Sequence, residues 1–239
     1  MGIGIDEEVR AQRYDIHDYI QEVLDKNDVD LDENPFEMFG LIRAAASQYL
    51  VKGDSDDIAD YEYHYITAVR IADNISKSED VYKEAATNMR DDLIENHDDI
   101  SDEEIKAKAE DAGKFTIGNN LTLTYSMAYE LLDDLMSEAI PLILPEETRE
   151  KAGGTLKSQL EGYESKRQIL SQCEVVSKET ASTIQHIGDV RHDVVHEVDE
   201  RFTLDTLDGD MDRIDEIPGA VNEVYELVYG EPAYQYVDE

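Results

Sequence analysis

Phe115-Thr116-Ile117-Gly118-Asn119-Asn120-Leu121-Thr122-Leu123-Thr124-Tyr125-Ser126-Met127-Ala128-Tyr129 holds no charge, in a chain that is 33% charged. Charged side chains are almost never fully buried unless paired, so their absence over fifteen residues marks a buried element. Its local reading is divided. Leu121-Thr122-Leu123-Thr124-Tyr125 alternates like a half-buried strand, whereas Leu121, Tyr125, Ala128, Leu132, Leu135 and Ala139 recur at helical spacing. The longer pattern decides for helix, with Asn120 as its cap.

Outward from that run, nearly every segment reads as helix, and the expected fold class is all-α. Apolar residues recur at helical spacing from Glu7 to Asp25 and from Asp57 to Ile75, the latter with Tyr61, Tyr65, Ala68, Val69 and Ala72 on one face. Asn34-Pro35 opens a helix from Phe36 to Val51 that Gly53 closes. Ser78 to Asn96 follows, and Ser101-Asp102-Glu103-Glu104 is a capping box for a short helix ending near Gly113. Pro141 and Pro145 end the uncharged helix. Pro145-Glu146-Glu147 opens another, broken at Gly153-Gly154. The spacing then predicts helices over Leu156–Gln172, Val176–Phe202 and Met211–Tyr229, the last kinked at Pro218. A boundary near Gly113 to Gly118 divides an N-terminal helical region, 1–115, from a C-terminal bundle, 116–239.

Asp and Glu number 58 against 21 Lys and Arg, a formal charge of −37, while 41% of residues are hydrophobic. That apolar content with regular periodicity argues for a folded chain. Acid spread along nearly every segment resembles the acidity of extremely halophilic microbes, where salt screens self-repulsion. The one cysteine, Cys173, excludes an intrachain disulfide and a cysteine-based metal framework. Met1 to Glu8 lacks the basic and apolar regions of a signal peptide, and no apolar run approaches membrane-spanning length, so the expected location is cytoplasmic, with no membrane partner.

The acid excess is not uniform. From Arg149 to Arg191, seven basic residues meet six acidic ones, leaving −38 for the remainder. Either these helices are buried or at a subunit seam, or the window relieves the negative potential that a phosphate would meet. It leads directly into Arg191-His192-Asp193-Val194-Val195-His196. Five residues along a helix leave Arg191 and His196 roughly 140° apart, flanking a cleft. Arginine pairs with phosphate oxygens through a charged planar fork, and histidine moves protons near neutral pH. Together they suit metal-independent RNA cleavage, in which histidine deprotonates the 2′-hydroxyl and arginine stabilises the developing charge.

Arg191 through His196 resembles the arginine–(four to six residues)–histidine signature of HEPN-domain proteins, which favours a polar residue directly after the arginine. The resemblance covers about half the chain, from about Thr116 to Gly230. It implies a bundle of four to five helices, with the motif in a cleft between two protomers. It also implies a metal-independent endoribonuclease acting on RNA, of the kind found in toxin–antitoxin, antiphage or RNA-processing systems. Arg191 and His196 would be catalytic, and His192 and Asp193 would orient the phosphate or the histidine. The implied partners are RNA, a second copy and an antitoxin or nucleotidyltransferase; no cofactor is implied. Val198 stands where one subgroup carries a tyrosine modified by its antitoxin, so this scheme does not carry over.

Other readings of the same residues stay open. His192 and His196, one turn apart, could grip a metal with Asp189 or His186, although the glutamate of a zinc-protease helix is missing. Arg191 could pair on the helix surface with Asp193 or Glu197. The protein would then be a non-catalytic helical interaction or regulatory module. His17, His64 and His97 read as surface histidines, and Asp133-Asp134 and Asp56-Asp57 as solvated acids. Tyr63 lies off the main face of its helix.

Overall fold

The computed structural model describes residues 60–97, 100–160, 162–196, 213–230 and 232–233. Among them are seven α-helices and no strand: α1 (Asp60–Ser76), α2 (Ser78–Asn96), α3 (Asp102–Leu142), α4 (Glu146–Gln159), α5 (Tyr163–Gln172), α6 (Lys178–His196) and α7 (Glu216–Tyr229). The fold is all-α. The helices expected at Glu7–Asp25 and Phe36–Val51 lie outside the described residues, as do His17 and Asp56-Asp57.

Helix α3 is the axis of the molecule. Its 41 residues span roughly 60 Å, and every other described helix packs against it. Its start is the expected capping box. The Ser101 hydroxyl accepts from the Glu104 amide, and the Glu104 carboxylate accepts from the Ser101 amide, both at 3.3 Å.

The expected stop near Gly113 does not occur: the uncharged run continues the same helix, and the boundary drawn at residue 115 falls inside it. Gly113 is there for contact instead. A Cβ at this position would sit 2.8 Å from Tyr82 Cε2 and 3.1 Å from the Tyr82 carbonyl oxygen. Asn120 is likewise no cap of its own helix. Its Nδ2 donates to the Asn74 carbonyl at 3.0 Å, satisfying an acceptor in the last turn of α1.

Helix α3 ends at Leu142, between Pro141 and Pro145 as expected, and Arg149 Nη2 donates to the carbonyls of Leu142 at 2.9 Å and Leu144 at 3.3 Å. Further local readings change. Gly153-Gly154 does not break α4, and the Gly153 Cβ position would lie 3.5 Å from Pro141. The real break comes at Gly162, with φ 94°, so Leu156 to Gln172 is two helices. Pro218 is the third residue of α7, where its missing amide proton has no intrahelical partner to lose.

One apolar cluster holds the bundle together. Leu131, Leu132, Leu135 and Met136 of α3 are fully buried with Ile71 of α1, Leu170 of α5, Ile184 and Ile187 of α6, and Ile217, Val221 and Val224 of α7. Burying each such side chain contributes about 1.5–3 kcal/mol. Residues of α1 therefore share a core with residues on the far side of position 115.

Helix α2 and the first turns of α3 lie mostly outside that cluster, which α2 meets through Tyr82. They pair antiparallel, and α2 buries only Ser78 and Leu93. A groove of about 340 Å³ runs between them, lined in part by Ile94, Ile105 and Ala109. No described helix is long and apolar enough to cross a membrane.

Two helical glycines give opposite expectations. Gly154 has nothing within 4 Å of its Cβ position, so Gly154→Ala should stabilise by roughly 0.5–1 kcal/mol. Gly113→Ala drives a methyl into Tyr82 and should destabilise by about 1–3 kcal/mol. Urea-unfolding midpoints check both signs; a stabilising Gly113→Ala would contradict the packing described.

Candidate functional site

The motif occupies the last two turns of α6, after a buried stripe of Ile184 and Ile187 that fixes the helix on the core. Arg191 keeps 30% of its side chain exposed. Its Cζ lies 4.7 Å from the centroid of the Tyr129 ring, and Nη2 is 3.9 Å from Glu130 Oε1. The first is a cation–π contact; the second is a loose ion pair.

Tyr129 is itself held. Its ring stacks on Tyr163 with centroids 4.2 Å apart and planes at 16°. Tyr163 is buried and donates its hydroxyl to the Ile184 carbonyl at 3.1 Å. Gly188 makes room for it, since a Cβ there would meet Tyr163 Cε1 at 3.2 Å. Ile184, Gly188 and Arg191, at i, i+4 and i+7, thus form one α6 stripe around two tyrosines from α3 and α5.

Burial, aided by Tyr129 and Asp133 nearby, pushes the Tyr163 phenol well above its ordinary value. Burial also raises the Tyr129 phenol, with Asp133 adding to the effect and Arg191 opposing it. A raised acid holds its proton more tightly folded than unfolded. The associated stability is therefore complete below the unfolded tyrosine value of about 10 and is lost as pH rises past it. Tyr163→Phe should flatten the stability profile above about pH 10. An unchanged slope in alkaline urea titrations would contradict the burial of this phenol.

The remaining motif residues are only partly placed. His192 is exposed and Asp193 half-buried. His196 closes α6, but the surroundings of its side chain lie outside the described residues, as do Val198 and Glu197. His186 turns inward, meeting the Tyr125 hydroxyl through Nε2 at 3.3 Å and the ring edge-on at 5.8 Å. Among the described residues, no three His, Cys, Asp or Glu side chains are arranged to hold a metal ion.

The basic window has a structural use that its sequence leaves open. Three of its cations neutralise acids along α3: Lys157 pairs with Glu138, Lys166 with Asp133 at 2.7 Å, and Arg191 approaches Glu130. Lys166 is buried, with only 8% of its side chain exposed, so Asp133 is an ion-pair partner rather than a solvated acid. Asp134, at 61% exposure, is the solvated one.

His64, expected at the surface, is instead buried and bonded through Nδ1 to the Tyr229 hydroxyl at 2.7 Å, tying α1 to α7. His97 and Tyr63 are exposed. Tyr129 and Tyr163 were not singled out by motif or charge. Glycine inside the predicted α6 helix, one turn before Arg191, was the available sign of a large side chain packed there.

The chain matches no protein-family model, no curated protein and no solved structure.

Proposed function

We propose that the chain is a metal-independent endoribonuclease of the HEPN type, with Arg191 binding phosphate and His196 moving protons. The observation that carries this reading is Arg191 itself. In the last turns of α6, its Cζ lies over an aromatic face while the side chain stays 30% exposed. Lys166 neutralises Asp133, one turn along α3 from Tyr129, and so lowers the negative potential on that stretch of the helix.

In this scheme the His196 imidazole takes the proton of an RNA 2′-hydroxyl. The freed oxygen attacks the adjacent phosphorus, Arg191 stabilises the charge gathering on the phosphate oxygens, and the 5′-oxygen leaves with a proton from the imidazolium. His192 and Asp193, directly after the arginine, would orient the phosphate or the histidine. A second copy would complete the cleft, and a toxin, antiphage or RNA-processing setting, with an antitoxin or nucleotidyltransferase partner, would suit such an activity.

The test is incubation with single-stranded RNA in high salt with a chelator. The expected products carry a 2′,3′-cyclic phosphate and a 5′-hydroxyl, and 2′-deoxy positions resist. A second reading, a non-catalytic helical interaction module, is favoured by the contacts of Arg191 with Tyr129 and Glu130, which suffice to explain an arginine there. Intact RNA under these conditions selects it.

A further inference from the structure

An arginine that receives a phosphate must hold its fork steady without using up its donors. Arg191 is steadied by an aromatic ring. The Tyr129 ring lies beneath the guanidinium at 4.7 Å, Tyr163 backs that ring at 4.2 Å, and the Tyr163 hydroxyl is anchored on the Ile184 carbonyl of α6 itself. The stack closes a loop from α6 through α5 and α3 back to α6. A guanidinium carries five N–H donors, and a cation–π contact places no oxygen acceptor on them, so N–H groups remain to donate to phosphate oxygens.

The charged contact of Arg191 is of another kind. Glu130 approaches Nη2 at 3.9 Å, beyond hydrogen-bonding distance, and its side chain is 67% exposed. A carboxylate so placed offers the arginine an anion, held only weakly.

We propose that Tyr129 is a positioning residue that presents Arg191 to a phosphodiester, and that Glu130 is an anionic placeholder the phosphodiester displaces. This rests on the reading of Arg191 as the phosphate-binding group. The two partners then act on different quantities. Losing the Tyr129 ring loosens the fork at the moment charge develops and lowers kcat. Losing the Glu130 charge removes a competitor for the ground state and lowers KM.

The experiment has two readouts. The first is the NMR shift of the Arg191 side-chain protons, which sit over an aromatic face. Upfield shifts are expected in the wild-type chain and in Tyr129→Phe, and random-coil values in Tyr129→Ala. Random-coil values in the wild type would overturn the proposal, whatever the activity. The second is RNA cleavage. Tyr129→Ala should lower kcat at least about ten-fold, with Tyr129→Phe close to wild type. Glu130→Gln should lower KM about two- to five-fold, an effect that fades as salt screens the carboxylate.

If the wild type cleaves and Tyr129→Ala cleaves as fast, the positioning role is overturned and the nuclease stands. If the shifts are as expected and the wild type leaves RNA intact, the nuclease reading fails and the proposal fails with it. An unchanged KM in Glu130→Gln would overturn the placeholder.

Discussion

His196→Ala and Arg191→Ala should each reduce RNA turnover to near background, His196→Ala by about 10²–10⁴-fold and Arg191→Ala by about 10²–10³-fold. The histidine value is that of a general acid–base group, the arginine value that of one electrostatic donor. The double variant should lose little more than the worse single one, because the two groups act on the same step. Arg191→Lys is expected to fall close to Arg191→Ala: an ammonium lacks the planar fork that pairs with phosphate oxygens. Unfolding is a poor alternative cause. Arg191→Ala forfeits a part-exposed cation–π contact worth about 0.5–1 kcal/mol and a loose ion pair worth less. Its thermal midpoint should therefore stay within a few degrees of wild type. Turnover above about half the wild-type value in either variant, at equal folded fraction, would sink the assignment.

The helices were legible because apolar spacing is a property of the chain, and the burial of Leu121, Tyr125, Ala128, Leu132 and Leu135 on one face of α3 is what their period implies. Where local signals misled, a glycine was read as punctuation. Gly113 permits close approach to Tyr82, and Gly153 continues α4 without a break. Such roles depend on which side chain arrives from another helix, and that information is not local. The same limit applies at the site. The motif showed Arg191, but not the Tyr129 face beneath it or the Tyr163 ring behind, which come from 62 and 28 positions earlier in the chain. His64 shows the converse. Surrounded in sequence by acids and tyrosines, it is buried because Tyr229, from the other end of the fold, supplies a partner.

Removing Asp133 should destabilise the bundle far more than removing the lysine it pairs with. The two side chains differ in exposure, 8% for Lys166 against 30% for Asp133. Lys166 Nζ donates to Asp133 Oδ1 at 2.7 Å and to the Asp133 carbonyl at 3.3 Å. In Asp133→Ala the ammonium stays enclosed with no opposing charge, a loss of about 3–5 kcal/mol. In Lys166→Met the apolar stem keeps its volume while the carboxylate, already part-exposed, turns to water, for under about 1.5 kcal/mol. The double variant should be close to Lys166→Met, because the cost in Asp133→Ala lies in the stranded charge and not in the lost contact. Salt separates this pair from the exposed Glu79–Lys83 pair on α2. In about 1 M salt the Debye length is about 3 Å, so the α2 pair should be silent, while the asymmetry at Lys166 should persist because enclosed charges are screened much less. Urea unfolding of the three variants at low and high salt measures it. Equal losses from Asp133→Ala and Lys166→Met would mean that Lys166 is hydrated in the folded protein.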